Sequence, residues 1–428
     1  MAEAYLNRII QQISGGATIS GTSVITGTYQ ETISANAPVY SILEPSTPDS
    51  GSWDTSITKL SDPSNLPTGS GRGVAYSDDD LYMAVGHTTT PYITIYKRSG
   101  DTFTKLSDPT ILPTGNTYGV SFSSGGVYLA VSHTTSPYIT IYKRSGDTFT
   151  KLTNPSLPTG NAYDVSFSSD DTYLSVASEV SPYITIYKRS GDTFTKLSNP
   201  STLPTGGAFS VYFSKDTSYL ATAHTNSPYV TIYKRSGDTF TKLPNPTTLP
   251  TGDGRGIGFD NSGLYMVVSH AVTPYITIYK RSDDTFTKLS DPTILPTGTG
   301  RSVKFSINNT YMAVPSEGSP YILIYKRSGD TFTKLSDPST LPPSYGVYCS
   351  FSKNDQYLSV AHFNTPYVTI YKTTLDPGSD AFNKIYSAGN DITTILNNIS
   401  SMNALGYAPS GGILDDIKTD IVAIWKEV

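Results

Sequence analysis

The dipeptide Pro-Tyr recurs at Pro91, Pro137, Pro182, Pro228, Pro274, Pro320 and Pro366, at spacings of 46, 45, 46, 46, 46 and 46 residues. A period this regular marks a repeat architecture, in which each unit buries its apolar faces only against copies of itself. The unit beginning at Pro137 reads Pro-Tyr-Ile-Thr-Ile-Tyr-Lys-Arg-Ser-Gly-Asp-Thr-Phe-Thr-Lys-Leu and runs on to Leu-Pro-Thr-Gly. Four strands fit in it: a (120–123), b (128–132), c (137–144, opened by its proline) and d (148–152). Ser-Gly-Asp makes the tight turn between c and d. Four strands in about 45 residues, seven times over, is the arithmetic of a closed all-β, seven-bladed β-propeller. Closure explains why strand c is apolar on both sides, with Ile139 and Ile141 on one and Tyr138 and Tyr142 on the other.

Seven a-b-c sets run from Val74 to Lys372, and the first copy of strand d, at 54–60, precedes the first strand a. That copy can complete the last blade by joining the two ends of the ring. Residues 380–386 also resemble strand d. The linker at 61–69 matches the repeat closely and favours the N-terminal copy. The organisation expected is an attachment segment at 1–52, the propeller at 53–372 and a C-terminal segment at 373–428. Tyr5, Leu6, Ile9, Ile10 and Ile13 form one helical stripe. Ile392, Ile395, Leu396, Ile399 and Met402 form another, and Ile413, Ile417, Ile421 and Ile424 a third. Such short helices need something to pack on.

The segment Tyr128-Leu-Ala-Val with Ile139-Thr-Ile-Tyr142 resembles the Trp-Asp repeat, in which strand c ends in an Ile-x-Ile-Trp-Asp box. Here Tyr142-Lys143 stands in place of Trp-Asp. The resemblance covers about residues 53–372 and implies the propeller architecture. The text Tyr-Lys-Arg-Ser-Gly-Asp-Thr-Phe-Thr-Lys-Leu is also similar to propeller proteins encoded by bacteriophages and prophages, which implies a place on a virion.

Composition narrows the chemistry. Charged residues make up 15%, against roughly 25% in ordinary globular chains. The net charge of −5 gives no basic field for nucleic acid. One cysteine, Cys349, excludes a disulfide framework within the chain and reads as a small buried hydrophobe. No run is apolar enough for a membrane helix, and the N-terminus has no signal-peptide pattern. His87, His133, His224, His270 and His362 all end strand b, one blade apart, too far to share a metal. They are expected to bond within their own blades. Six Lys-Arg pairs are spread around the ring and read as solvated. Asp78-Asp-Asp80 and Asp170-Asp171 lie in turns but lack a calcium-loop pattern. No cofactor, metal or catalytic residue is expected, because near-identical blades offer the same residues repeatedly, whereas catalysis needs groups in unlike roles.

One position breaks the symmetry in kind. At the start of strand a stand Arg72, Tyr118, Tyr163, Phe209, Arg255 and Arg301, with Tyr345 near the place in the seventh blade. This rim is the candidate ligand or partner site, basic on one sector and aromatic on the other. The expected role is a non-enzymatic virion component that joins other virion proteins, or copies of itself, through its flanks. It would also meet a host-surface glycan or protein. The alternatives are a multivalent lectin with Tyr- and His-lined pockets between blades, and an intracellular interaction scaffold. The runner-up locations are extracellular and cytoplasmic.

Overall fold

A computed structural model of the chain describes residues 52–374. They form seven antiparallel four-stranded sheets. In blade one the strands are a (Gly71–Tyr76), b (Tyr82–His87), c (Ile93–Ser99) and d (Thr102–Lys105), hydrogen-bonded in that order. Blades two to six repeat the pattern from strands a at Thr117–Phe122, Ala162–Phe167, Ala208–Phe213, Gly254–Phe259 and Lys304–Phe305. Blade seven takes a, b and c from Gly346–Phe351, Tyr357–His362 and Val368–Thr374. Its outer strand is Ser52–Lys59, so the N-terminal copy closes the ring. Thr58 faces Lys372 and Lys59 faces Tyr371, the register that Thr104 and Lys105 hold against Lys97 and Tyr96 in blade one. Residues 380–386 and the three helical stripes lie outside the described residues.

The core is divided into seven clusters, each shared by two neighbouring blades. The cluster that joins the chain's ends sets Val74, Tyr76 and Met83 of blade one against Tyr357, Val368 and Ile370 of blade seven. Strand b is covered on both faces and buried along its whole length in each blade, as in Tyr128–His133, while strand c is buried only through its first four residues, as in Ile139–Tyr142. Burial on both faces replaces the usual half-polar alternation of a sheet with one wet side.

Polar side chains stitch the same seams. The tyrosine opening strand b donates its hydroxyl to the aspartate of the next blade's c–d turn, as Tyr128 does to Asp192 at 2.6 Å. The strand-c lysine of the same blade meets that aspartate, as Lys143 meets Asp192 at 2.8 Å. The ring of that tyrosine packs edge-on against the next blade's phenylalanine (Tyr128 to Phe194, 5.9 Å), under that blade's strand-c arginine (Arg189, 5.0 Å). Arg189 also donates from Nε to the Asp171 carbonyl at 2.7 Å. The Lys-Arg pairs are therefore inter-blade fasteners rather than free solvated charges.

Two strand starts differ from the sequence reading. Strand a begins earlier, at Thr117 rather than Val120, and strand c begins after Pro-Tyr, at Ile139. Tyr138 lies at φ +67°, as do its six equivalents within a few degrees, and this left-handed backbone interrupts the alternation expected from Tyr138 through Tyr142. Pro-Tyr belongs to the b–c turn, closed by His133 N–H donating to the Tyr138 carbonyl at 2.9 Å. The threonine of Leu-Pro-Thr-Gly secures that turn: Thr114 donates to the Ser136 carbonyl at 2.8 Å.

Candidate functional site

The strands a surround the axis of the ring, and there the blades differ in chemistry. Positions one and three of strand a are glycine or another small residue in most blades, because the backbones crowd. A side chain on Gly73 would meet the Tyr118 carbonyl at 2.4 Å. Positions two and five are half-buried and line the axis.

Position two holds Arg72, Tyr118, Tyr163, Phe209, Arg255 and Arg301. The register of blade seven, Gly346 opposite His362 as Gly71 is opposite His87, puts Val347 in the equivalent place. The sequence left the seventh member open, with only a shortened linker around Tyr345, which lies one residue before strand a. Tyr345 instead packs on Phe363 at 4.6 Å. Phe363 in turn lies under Arg72 at 4.1 Å, and Arg72 reaches Tyr118 at 5.1 Å. Tyr118 meets Tyr163 at 5.1 Å, Tyr163 stacks on Phe209 at 5.2 Å, and Arg255 covers Phe209 at 4.3 Å. The structure thus brings five of the six expected rim residues into one continuous arc. Arg301 extends the basic sector beside them, paired with Glu317.

The three guanidiniums share one neighbourhood. Burial, and behind it the charge of Arg301, holds Arg255 below its ordinary range. Burial lowers Arg72 as well, against the opposing influence of Tyr118 and with a smaller push from Arg301. Arginine stays charged regardless. The Nε atoms of Arg72, Arg255 and Arg301 are each buried without a hydrogen-bond partner among the described residues. Arg255 has Asp253 at 3.6 Å. Arg72 has only aromatic faces, so its donors are the least committed. A planar guanidinium held between rings is suited to a carboxylate or phosphate, and the aromatic sector to an apolar face of the same ligand.

Deeper along the axis four unlike side chains meet, a constellation that the sequence reading missed. Tyr348 of blade seven crosses to Asp164 of blade three, its hydroxyl 3.2 Å from Oδ1. Asp164 also accepts from Ser210 Oγ at 2.7 Å and from Val211 N at 3.2 Å. Burial raises the Asp164 carboxyl above its usual range, and the nearby charge of Lys304 opposes that. Lys304 lies over the rings of Tyr212 at 4.1 Å and Tyr348 at 5.0 Å. These departures at positions three and five were visible in an alignment of the repeats, which show mostly Gly, Ser or Ala there.

The other singled-out residues have local partners. The Nε2 of His87, His133, His224, His270 and His362 lies 2.9–3.0 Å from a strand-c threonine hydroxyl of the same blade. All five are fully buried, so they present no open Tyr/His surface between blades. Burial pushes Cys349 up to about 12. Among the described residues no three or more His, Cys, Asp or Glu converge on one point, and no helix is long and apolar enough to cross a membrane.

No protein-family model and no curated protein matches the chain. Among solved structures, hydrazine synthase of Kuenenia stuttgartiensis is similar in fold, with a TM-score of 0.59 and 13% identity over 73% of this chain and 98% of that one. At that identity the likeness shows the fold alone.

Proposed function

We propose that this chain is a non-enzymatic binding and structural ring of a phage particle, and that its channel mouth takes an acidic group of a host-surface glycan or protein. The arc from Arg72 through Tyr118, Tyr163 and Phe209 to Arg255 carries the binding half of this reading. Blades that keep the same residues over most of their length diverge at this register position into cations and aromatics, with a valine in the seventh. Repeated copies on a particle would multiply a weak contact. The virion setting rests on the resemblance of the repeat text to phage-encoded propellers and on the non-repeating flanks at both ends. The intact chain should bind acidic glycans on an array, and Arg72→Ala should weaken that binding by about tenfold, the worth of one charge-assisted pair. A C-terminal label should decorate purified particles of the source. Binding that ignores Arg72, or particles devoid of the chain, would each refute its half of the reading.

A further inference from the structure

A second site lies on the axis, independent of the mouth. At the end of the ring formed by the a–b turns is a cavity of about 160 Å3, lined by Ser121, Ser166 and Ser350 and by Lys304, Tyr212 and Tyr348. None of the rim arginines or aromatics lines it. The three serines hold position five of strand a, the place Lys304 holds in blade six. As donors their hydroxyls make only long bonds, 3.2–3.4 Å, to the next carbonyl of their own strands, and Ser121 Oγ accepts from the Phe167 N–H at 3.5 Å, so they can be redirected inward at little loss.

Lys304 brings a charge whose donors are unspent. Among the described residues its ammonium has aromatic faces as neighbours and no acceptor within hydrogen-bond reach. The nearest carboxylate acting on it, Asp164, already accepts from Ser210, Val211, Val165 and Tyr348. The one acidic residue of the cavity lining, Asp260, is engaged by Ser262 and by the N–H of Tyr265. Lys215 and Lys353 add positive charge to the lining. A polar cavity with an unsatisfied cation and several hydroxyls is matched by a small oxyanion.

We propose that this cavity binds a small oxyanion, a carboxylate or phosphate group, with Lys304 as its charge partner and the ring of serines as hydrogen-bond donors. Calorimetric titration of the full chain carrying Arg72→Ala, which weakens the mouth, with inorganic phosphate and with acetate, at matched ionic strength in sodium chloride, tests this. Saturable one-site binding of either is expected. Phosphate alone would identify a phosphoryl ligand, acetate alone a carboxylate ligand, and both the shared chemistry. Added to that variant, Lys304→Met keeps the stem against Tyr212 and should weaken binding by about tenfold or more, whereas Lys196→Met, which removes the same charge from an outer strand d, should leave it unchanged. Should Lys304→Met fail to fold, Ser350→Leu, which fills the cavity and keeps the lysine, should abolish binding. The proposal is overturned by absence of saturable binding to the Arg72→Ala chain, by undiminished affinity in a folded Lys304→Met, or by an equal loss of binding in Lys196→Met.

Discussion

Asp283 sits at φ +50° in the c–d turn of blade five, where five other blades place a glycine at φ +55° to +57°. A side chain there is strained and gains nothing, since the space around those glycines is open. Asp283→Gly should raise stability by about 0.5 kcal/mol, seen as a higher urea midpoint; a lower midpoint would contradict the strain. The buried histidines carry a pH dependence. Burial holds His87, His133, His270 and His362 down to about 4 and lowers His224 as well. Imidazoles that stay neutral in the fold take protons more readily when unfolded. The stability they give is full above pH 6.5 and drains as pH falls from there towards 4. Asp355, pushed up by burial to about 6, acts in the opposite sense, its contribution being lost as pH rises through that value. The five histidines outweigh it, so the urea midpoint should be lower at pH 4.5 than at pH 7. A flat or rising profile would overturn this.

Among the elements, the a–b turns are joined side to side. The Asp355 carboxylate accepts the backbone N–H of Ile307 and Asn308, at 2.6 and 2.8 Å, from the neighbouring turn. Asp80 does the same for Lys353 and Asn354 across the seam between the chain's first and last blades. Asp171 does so for Ser124 and Gly125. These carboxylates close turns, which accounts for aspartates that otherwise suggest a cation. Asp355→Ala should cost about 2 kcal/mol by stranding two amide donors, measured by urea unfolding. Asp355→Asn should cost less, because Asn309 already serves blade six by accepting from Asn261 N–H at 2.6 Å. Equal losses for the two variants would argue against this role.

For the whole molecule, the N-terminal strand is the piece that makes seven blades into a ring. Trp53 is buried, meets Phe351 edge-on at 5.7 Å, and donates Nε1–H to the Asp355 carbonyl at 3.1 Å. Deleting residues 1–59 leaves blade seven with three strands and exposes the cluster around Tyr311, Ile324 and Tyr371. That truncation should unfold less cooperatively or aggregate, seen as a broadened or irreversible thermal transition. A well-folded 60–428 fragment would show that closure lies elsewhere.

The Pro-Tyr period and the unit between its copies were enough for blade number, strand number, ring closure and the aromatic seams, because each depends on contacts repeated at one spacing. The same text placed Arg72, Tyr118, Tyr163, Phe209, Arg255 and Arg301 at one register position. It left the seventh member open, since a shortened linker moves the register and only the pairing of Gly346 with His362 identifies Val347. Tertiary structure alone decided that Lys-Arg pairs fasten neighbouring blades. It alone brought Asp164, Tyr212, Lys304 and Tyr348 together, from blades 184 residues apart at the widest pair. Repetition fixes what each blade does to the next. What meets across the axis depends on the radius of the closed ring, which no single repeat contains.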